Sequence, residues 1–514
     1  MTRRFSRGLH AGVLCALVWW AGATPAHAGE AMPTRGDLGR LSLADCVVLA
    51  LRNSLDVRGV FLNRIVQRFA LRVARYEFEP HAAVQLSSQA RSGYHAYDRT
   101  RDEGGKQAGA LTTSRRVPTG GQFGFVWSEA VGHNDWHYDP GYDSAWQLSL
   151  TQPLLRGGGL DPAGVRVATA SLTFARIAEG QNLLSLKQSL TAVINGTIGA
   201  YRAYVQTLRQ LDISQRSLDR AHELADTNRE LIRAGRMAPM EAIQSDAEIA
   251  NRELGVLQAQ NTVESVRLAL IQILNLDREA TFQVVEEGRT TVRVPSVEEG
   301  LGLALLNRPD YLAAQRSVDA AKLSLAVAER NALWDLSVNG SVGRGLTDEG
   351  TWPRTLWKAG QFGRTDWQAL LTLTIPLRDL TIEQSVVSAR VAREQATLGV
   401  KRLETSIAIE VTNVVRDAEV KARQVELASR ARQLTERKLE IEADKLRAGR
   451  TTNFQMVSFQ SDVVNAQVAE LDAIIAYLNA LTRLDDVLGT TLQTWRIDVS
   501  PDDDAVSVVG TPTR

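Results

Sequence analysis

The sequence predicts an α+β membrane protein built from one duplicated unit, with strands that cross a bilayer and long coiled-coil-like helices outside it. Three observations carry that expectation. The chain repeats itself, each copy contains alternating strand patterns, and no proline interrupts the stretches from Pro162 to Pro239 or from Pro376 to Pro501. Proline breaks helix interiors, so these stretches can hold very long helices.

The repeat is explicit. Ser42, Leu49-Ala50-Leu51, Asn53 and Asp56 return as Ser296, Leu303-Ala304-Leu305, Asn307 and Asp310, and Arg233-Ala234-Gly235-Arg236 returns as Arg447-Ala448-Gly449-Arg450. From those glycines the copies run without a gap, Asn251 matching Asn465 and Leu274 matching Leu488. The 514 residues therefore divide into two long structural repeats, 29–295 and 296–494, rather than several compact domains. Such duplication favours a scaffold or channel over a single asymmetric cleft.

The ends and the composition set bounds. Residues 1–28 read as a signal peptide, with Arg3, Arg4 and Arg7 before the apolar stretch Ala11–Ala23 and Ala26-His27-Ala28 at the cleavage site. Removal of Cys15 leaves Cys46 alone, which excludes a disulfide within one chain. With 59 basic and 59 acidic residues the chain has no charge excess to attract nucleic acid. No mature segment holds the ~18 apolar residues a spanning helix needs, so any membrane crossing is by strands. Residues 495–514, with Pro501-Asp502-Asp503-Asp504, are expected to be a disordered tail.

Taken in order, helices at 41–53 and 56–76 lead to a first strand near 82–92. Ala82, Val84 and Leu86 alternate there with Ala83, Gln85 and Ser87, and near 145–154 Trp146, Leu148 and Leu150 alternate with Gln147, Ser149 and Thr151. One apolar and one small or polar face is the pattern of a barrel wall between lipid and water. The second copy supplies helices over 298–334 and strands near 335–345 and 367–377. Trp146, Trp334 and Trp367 are placed at strand ends, as an interfacial aromatic girdle requires.

The first copy has extra residues between its strands. Leu111–Val117, the turn Pro118-Thr119-Gly120-Gly121, and Gln122–Glu129 with Phe123, Phe125 and Trp127 in alternation read as an additional hairpin near 111–129. The length asymmetry places it among the external loops, outside a set of four wall strands. Four strands leave two open edges, which lipid does not tolerate.

Long helices follow at 161–234 and 379–447, with Asp161 before Pro162 and Asp379 as N-caps. At about 1.5 Å per residue the first would reach on the order of 110 Å. Each stops at Arg-Ala-Gly-Arg, where glycine supplies the left-handed closing residue and arginines face the negative helix end. Return helices at 240–274 and 454–488 are about half as long, and each is expected to stack on the shorter helix preceding the strands of its copy. The seam of the second long helix (Val411, Val415, Ala418, Ala422, Val425) is widened by Leu427 and Ala431, as expected of a helix with neighbours on two sides. Residues 275–296 form a small belt segment beside it.

No enzyme motif is present. Arg156-Gly157-Gly158-Gly159 lacks the Gly-Lys-Ser/Thr ending of a phosphate loop and reads as a joint between barrel and helix. His133 and His137 have helical ligand spacing but lie in loop-like sequence, so no metal site and no cofactor are expected. The Arg-Ala-Gly-Arg turns are the functional candidates, as an electropositive collar at the far end of the helices.

Ala304-Leu305-x-Asn307-Arg308-Pro309-Asp310, the passage Leu148-Ser149-Leu150-Thr151-Gln152-Pro153-Leu154-Leu155, the descent Leu446-x-Ala448-Gly449-x-Thr451 into Gln460-x-Asp462-x-x-x-Ala466-Gln467, and the closing Val487-Leu488-Gly489 resemble the TolC-type outer-membrane efflux proteins over nearly the whole mature chain. The resemblance implies a non-enzymatic homotrimer in the outer membrane of a Gram-negative-type bacterium. Each protomer would give four strands to a twelve-stranded barrel and its helices to a periplasmic tunnel. It implies an exit duct for a tripartite efflux pump or type I secretion system, with a periplasmic adaptor and an inner-membrane transporter as partners. It also implies adaptor docking at Arg233, Ala234, Gly235, Arg236, Arg447, Ala448, Gly449 and Arg450. A pore constriction would lie just beyond, at Glu241, Gln455 and Ser458; the last two stand where aspartates occur in the family, a departure that weakens a two-aspartate gate. The alternative is a periplasm-spanning coiled-coil scaffold or adhesin without a pore.

Overall fold

The structure is a computed structural model that describes residues 37–95, 100–134, 141–285, 294–348, 365–448, 450–499 and 507–508. The signal peptide expected at 1–28 lies outside the described residues. The first copy opens with β1 (Asp37–Leu41), α1 (Leu43–Asn53) and α2 (Leu55–Tyr76). Strands β2 (His81–His95), β3 (Thr100–Arg116), β4 (Gln122–Asn134) and β5 (Gly141–Pro153) follow, then α3 (Pro162–Ala168), α4 (Ala170–Arg233) and α5 (Met240–Leu274). The second copy, entered through β6 (Thr281–Val284), has α6 (Val297–Asn307), α7 (Pro309–Asn331), β7 (Asp335–Asp348), β8 (Asp366–Thr374), α8 (Leu380–Arg447) and α9 (Asn453–Leu488). It ends with α10 (Thr491–Thr494), β9 (Ile497–Asp498) and β10 (Ser507–Val508).

The duplication is physical as well as textual. Ser42 and Ser296 both build capping boxes, reciprocated by Asp45 and Glu299. Where each return helix ends, the short helix above begins: Asn53 donates to the Leu274 carbonyl at 3.2 Å, and Arg308 donates to the Val487 carbonyl at 3.5 Å. Helix α2 packs on α4, α4 on α7 and α7 on α8; farther down, α5 packs on α4 and α9 lies between α4 and α8. Thus α2 continues α5 and α7 continues α9, as the half-length return helices require.

One six-stranded antiparallel sheet runs β2-β3-β4-β5-β7-β8. This corrects the expected four strands per protomer. The hairpin expected as an external insert is β3 and β4, in continuous register with β2 on one side and β5 on the other. Its turn lies at the helix end of the sheet, beside the start of β2 and the end of β5. Paired residues share a face, so the register separates the sheet's two surfaces. The row Ala82, Thr113, Phe125, Leu148, Val342 and Trp367 is mostly apolar, whereas the neighbouring row Ala83, Thr112, Val126, Gln147, Gly343 and Asp366 is mostly small or polar. Trp146 stands within β5, opposite Trp127, rather than at a strand end.

Three further expectations need correction. Residues 161–234 do not form one helix: Thr169, with φ −96° and ψ 12°, separates α3 from α4, and its hydroxyl donates back to the Val165 carbonyl at 2.8 Å. Asp161 precedes Pro162 as predicted but makes no side-chain cap, because its carboxylate is held by Arg330 of the second copy. The Arg330 hydrogen bond, then its charge, hold that carboxyl below the usual range. The tail is partly ordered, since β9 pairs with β10 and Ile497 is buried against Leu186, Leu190 and Ile194. By contrast Asp379 caps α8 as expected, accepting from the Thr381 amide at 2.9 Å.

The close packing at the sheet-to-helix joint explains the glycine run. The Gly159 amide donates to the Thr119 carbonyl at 2.9 Å, and Gly120 takes φ +85°. A Cβ on Gly120 would stand 3.1 Å from the Gly158 Cα, and one on Gly158 would stand 2.6 Å from the Thr119 oxygen. Backbone meets backbone here, so only glycine fits both sides. Gly158→Val is expected to cost about 1–3 kcal/mol by overpacking the joint. Thermal unfolding of the purified protein should register the loss, and Gly157→Val, where nothing lies within 4 Å, isolates the separate cost of its φ of +73°.

Candidate functional site

Both long helices close by the same device at the end far from the sheet. The chain turns at Gly235, with φ +70°, and the Arg236 amide reaches back to the Leu231 carbonyl at 2.9 Å. In the second copy the Arg450 amide reaches the Lys445 carbonyl at 2.8 Å, the same bond from residue i to i−5. Gly449 itself lies outside the described residues. Arg233, Ala234, Gly235, Arg236, Arg447, Ala448 and Arg450 are all exposed. Arg447 pairs with Asp444 at 3.0 Å, with both side chains more than 70% exposed; water screens such a pair strongly. The turns thus present guanidinium groups and bare helix ends to solvent, chemistry suited to docking rather than to catalysis.

The residues implied at the constriction have unequal settings. Glu241 sits in the first turn of α5, half-buried, and its Oε2 is buried without a hydrogen-bond partner among the described residues. Its matching position, Gln455, and also Ser458 are exposed on α9. The Gln455 amide donates to the Thr452 hydroxyl at 3.3 Å, the cap of that helix. A carboxylate oxygen with no donor can still attract a cation, whereas the two neutral side chains offer only weak ligands.

Sequence reasoning missed the lock beneath these turns. Asn228 is fully buried, and its amide group donates at 2.8 Å both to the Ser245 hydroxyl and to the Asn453 carbonyl oxygen. It thereby ties α4 and α5 of the first copy to the start of α9 in the second. The residue equivalent to Asn228 is Glu442, also buried; it accepts from Thr451 at 2.5 Å and pairs with Lys445 at 3.0 Å. The Thr451 hydroxyl, then Lys445, hold the Glu442 carboxyl below its usual range. Leu224, Leu446 and Met456 form the apolar layer around them. The available signal was a polar residue at one repeat position on an otherwise apolar face, visible only once the copies are superposed.

A second polar knot fixes the middle of the chain and gives the Asn307-Arg308-Pro309-Asp310 motif its role. Arg308 pairs with Asp310 at 2.8 Å and Glu410 at 2.7 Å, and Pro309 opens α7. Burial pushes the Asp310 carboxyl up, but the Arg308 hydrogen bond and charge outweigh it and hold it low. Nearby Asp486 is pushed up by burial. Ala304, fully buried, lets α6 approach the Ile407, Val411 and Val415 face of α8.

No described helix is long and apolar enough to cross a membrane. No group of three metal-type ligands occurs among the described residues, and His137 lies outside them. No protein-family model and no curated protein matches the sequence. Solved structures do match. The Campylobacter jejuni CmeC outer membrane channel is 17% identical with a TM-score of 0.61, over 87% of this chain and 85% of that one. The outer membrane protein VceC of Vibrio cholerae is 16% identical with a TM-score of 0.63, over 87% and 96%. The open state of the Neisseria gonorrhoeae MtrE outer membrane channel is 16% identical with a TM-score of 0.59, over 87% and 88%.

This chain has the outer-membrane channel fold. The TolC-type resemblance read from its motifs is met at the level of architecture, over most of both chains. Within that channel fold the arginine turns and the Asn228 lock occupy the end opposite the sheet.

Two outcomes are expected at that end. Asn228→Ala leaves the Ser245 hydroxyl and the Asn453 oxygen without their shared donor, at a cost of about 1–3 kcal/mol, and amide exchange at 224–245 and 450–456 should quicken. Glu442 has a depressed folded pKa, so its stabilisation is complete above the ordinary unfolded value of about 4.3 and is lost as pH falls below it. Protection of the second turn, as exchange relative to the intrinsic rate at each pH, should therefore fall on acidification, and Glu442→Gln should abolish that pH dependence.

Proposed function

We propose that the protein is the outer-membrane exit duct of a tripartite efflux pump or type I secretion system, conducting cargo passively from a periplasmic adaptor and inner-membrane transporter to the exterior. It performs no covalent chemistry. The observation that carries the reading is the sheet: one face is apolar and open, with Val84 at 71% and Trp367 at 78% exposure, while the other is small and polar. A soluble protein would bury such a face; a barrel wall turns it to lipid. The sheet is joined to helices of 64 and 68 residues, on the order of 100 Å long, which suit a passage across a periplasm.

The two edges of the sheet, β2 and β8, call for partners, and three copies around an axis supply them while closing the helices into a tube. The helices next to those edges also carry open apolar rows, Leu62, Val66, Phe69 and Val73 on α2, and Val387, Val391 and Leu398 on α8. Pairing of these rows between protomers gives the homotrimer its periplasmic interface. In this arrangement the arginine turns dock the adaptor, and the orphan carboxylate of Glu241 draws cations to the closed end.

Reconstitution of the purified protein into planar bilayers tests the duct directly. Discrete single-channel conductance is expected; a trimer without conductance would favour the scaffold or adhesin reading. Charges introduced at Leu148 or Leu150 should impair insertion by about 2–4 kcal/mol at mid-bilayer, whereas the same charges at Gln147 or Ser149 should be mild. Glu241→Gln should reduce block by divalent cations, and aspartates at 455 and 458 should increase it. Unchanged block in all variants would remove these residues from the gate and leave the turns as docking surfaces.

A further inference from the structure

We propose, on the footing of the trimeric duct above, that β3 and β4 are wall strands, so that the trimer closes an eighteen-stranded barrel. Its outer-membrane section would then be as wide as the helical tunnel, with room for a polypeptide carrying paired helices. Three copies of the six-stranded sheet give eighteen strands, against the twelve that four per protomer would give.

Three independent observations place the hairpin in the wall. First, β3 pairs without a break along β2 and along β4, and β4 along β5, so a hairpin lying outside the wall would require the ladders on both of its sides to be abandoned. Second, its faces are in phase with the other strands: Phe123, Phe125 and Trp127 align with Leu150, Leu148 and Trp146, and Val126 and Ser128 with Gln147 and Ala145. A loop in water has no reason to keep that phase. The only charged residue of β4, Glu129, lies beyond Trp127 toward the open end, and its Oε1 accepts from Trp127 at 2.7 Å and Ser144 at 2.6 Å. Third, the turn is docked into the barrel-to-helix joint. Besides the Gly120–Gly158 approach, Thr119 and Gln152 exchange hydrogen bonds at 2.8 and 3.1 Å, Arg115 donates to the Phe78 carbonyl at 3.2 Å, and Arg116 pairs with Glu77.

The dimensions follow. Each protomer presents four helices at the sheet end, α2, α4, α7 and α8, so the ring holds twelve; axes 8–10 Å apart make its diameter about 31–38 Å and its bore about 21–28 Å. Strands about 4.8 Å apart and tilted about 40° give backbone diameters of about 24 Å for twelve and about 36 Å for eighteen. Allowing about 5 Å of side chain per wall, the bores are about 14 and 26 Å. Twelve strands would pinch the duct to little more than one helix, which is about 10–12 Å across; eighteen match the tunnel. The lumen row from Ala83 to Asp366 carries one charge, at Asp366.

Single cysteines introduced at Phe125, Trp127, Val126 and Ser128 on β4, with Leu148 and Gln147 on β5 as references, test this in the trimer reconstituted in vesicles. Cys46 is silent: it is fully buried, and burial pushes its thiol up to about 12. A charged maleimide should label the Val126→Cys, Ser128→Cys and Gln147→Cys variants, and label Phe125→Cys, Trp127→Cys and Leu148→Cys on the order of tenfold more slowly. Rapid labelling of both β4 faces, with Leu148→Cys protected, would overturn the wall assignment and spare the duct. Equal labelling of Leu148→Cys and Gln147→Cys would overturn the duct itself. Width is read separately by adding neutral polymers of about 20 Å diameter, between the two calculated bores, to the exterior side. Wild type should admit them, and a variant lacking 106–130, in which antiparallel β2 and β5 meet directly, should exclude them; exclusion by wild type would overturn the eighteen-stranded bore.

Discussion

In hydrocarbon every backbone N–H and C=O must find a partner within the protein, and the duct proposed above follows from that requirement. A six-stranded sheet satisfies its inner strands and leaves β2 and β8 each with one open ladder. A single copy cannot curl six strands into a closed wall around water, so in the proposed trimer the missing bonds come from other copies. The helices inherit the same edges: α2 runs into β2 and α8 leaves β8, and both carry apolar rows that stay exposed among the described residues. Sheet and helices therefore ask for the same neighbour on the same side.

Duplication supplies the rest. Each copy contributes a short helix above a return helix and one long helix beside both, so in the proposed tube the two copies fill one segment with four helices at any height. The Arg308 knot and its counterpart at Asn53 sit where short and return helices meet, keeping the stacks aligned. The copies differ where function would need asymmetry. Asn228 and Glu442 are equivalent, yet one links the two helical hairpins and the other braces only its own turn. The first copy alone carries β3 and β4.

Local physics was legible in the sequence, and long-range substitution of partners was not. The caps at Ser296 and Asp379, the left-handed Gly235, the bounds of α5 and α9 and the alternation of β2, β5, β7 and β8 all follow from nearby residues. Asp161 looked equally good as a cap, but Arg330, far away in the sequence, takes its carboxylate. The break at Thr169 accompanies a hydroxyl back-bond of a kind that leaves the helix unbroken at Thr197 and Thr412, so the neighbouring sequence does not announce it. Length asymmetry alone points the hairpin to an external loop, yet Phe123, Phe125 and Trp127 alternate in phase with β5 and the sheet contains it. The glycines read as a joint, but the partner that makes them necessary, the backbone at Thr119 and Gly120, is not adjacent to them in the sequence.

The most direct test of the central claim, that the open edges of one protomer are closed by two more, is disulfide trapping between β2 and β8. A panel of cysteine pairs, one on each strand, covers the possible registers. Oxidation of the membrane-embedded protein should give, for the pairs in register, a gel ladder that ends at a covalent trimer. Pairs that yield only monomer across the whole panel, or ladders that run past three copies, would contradict the account.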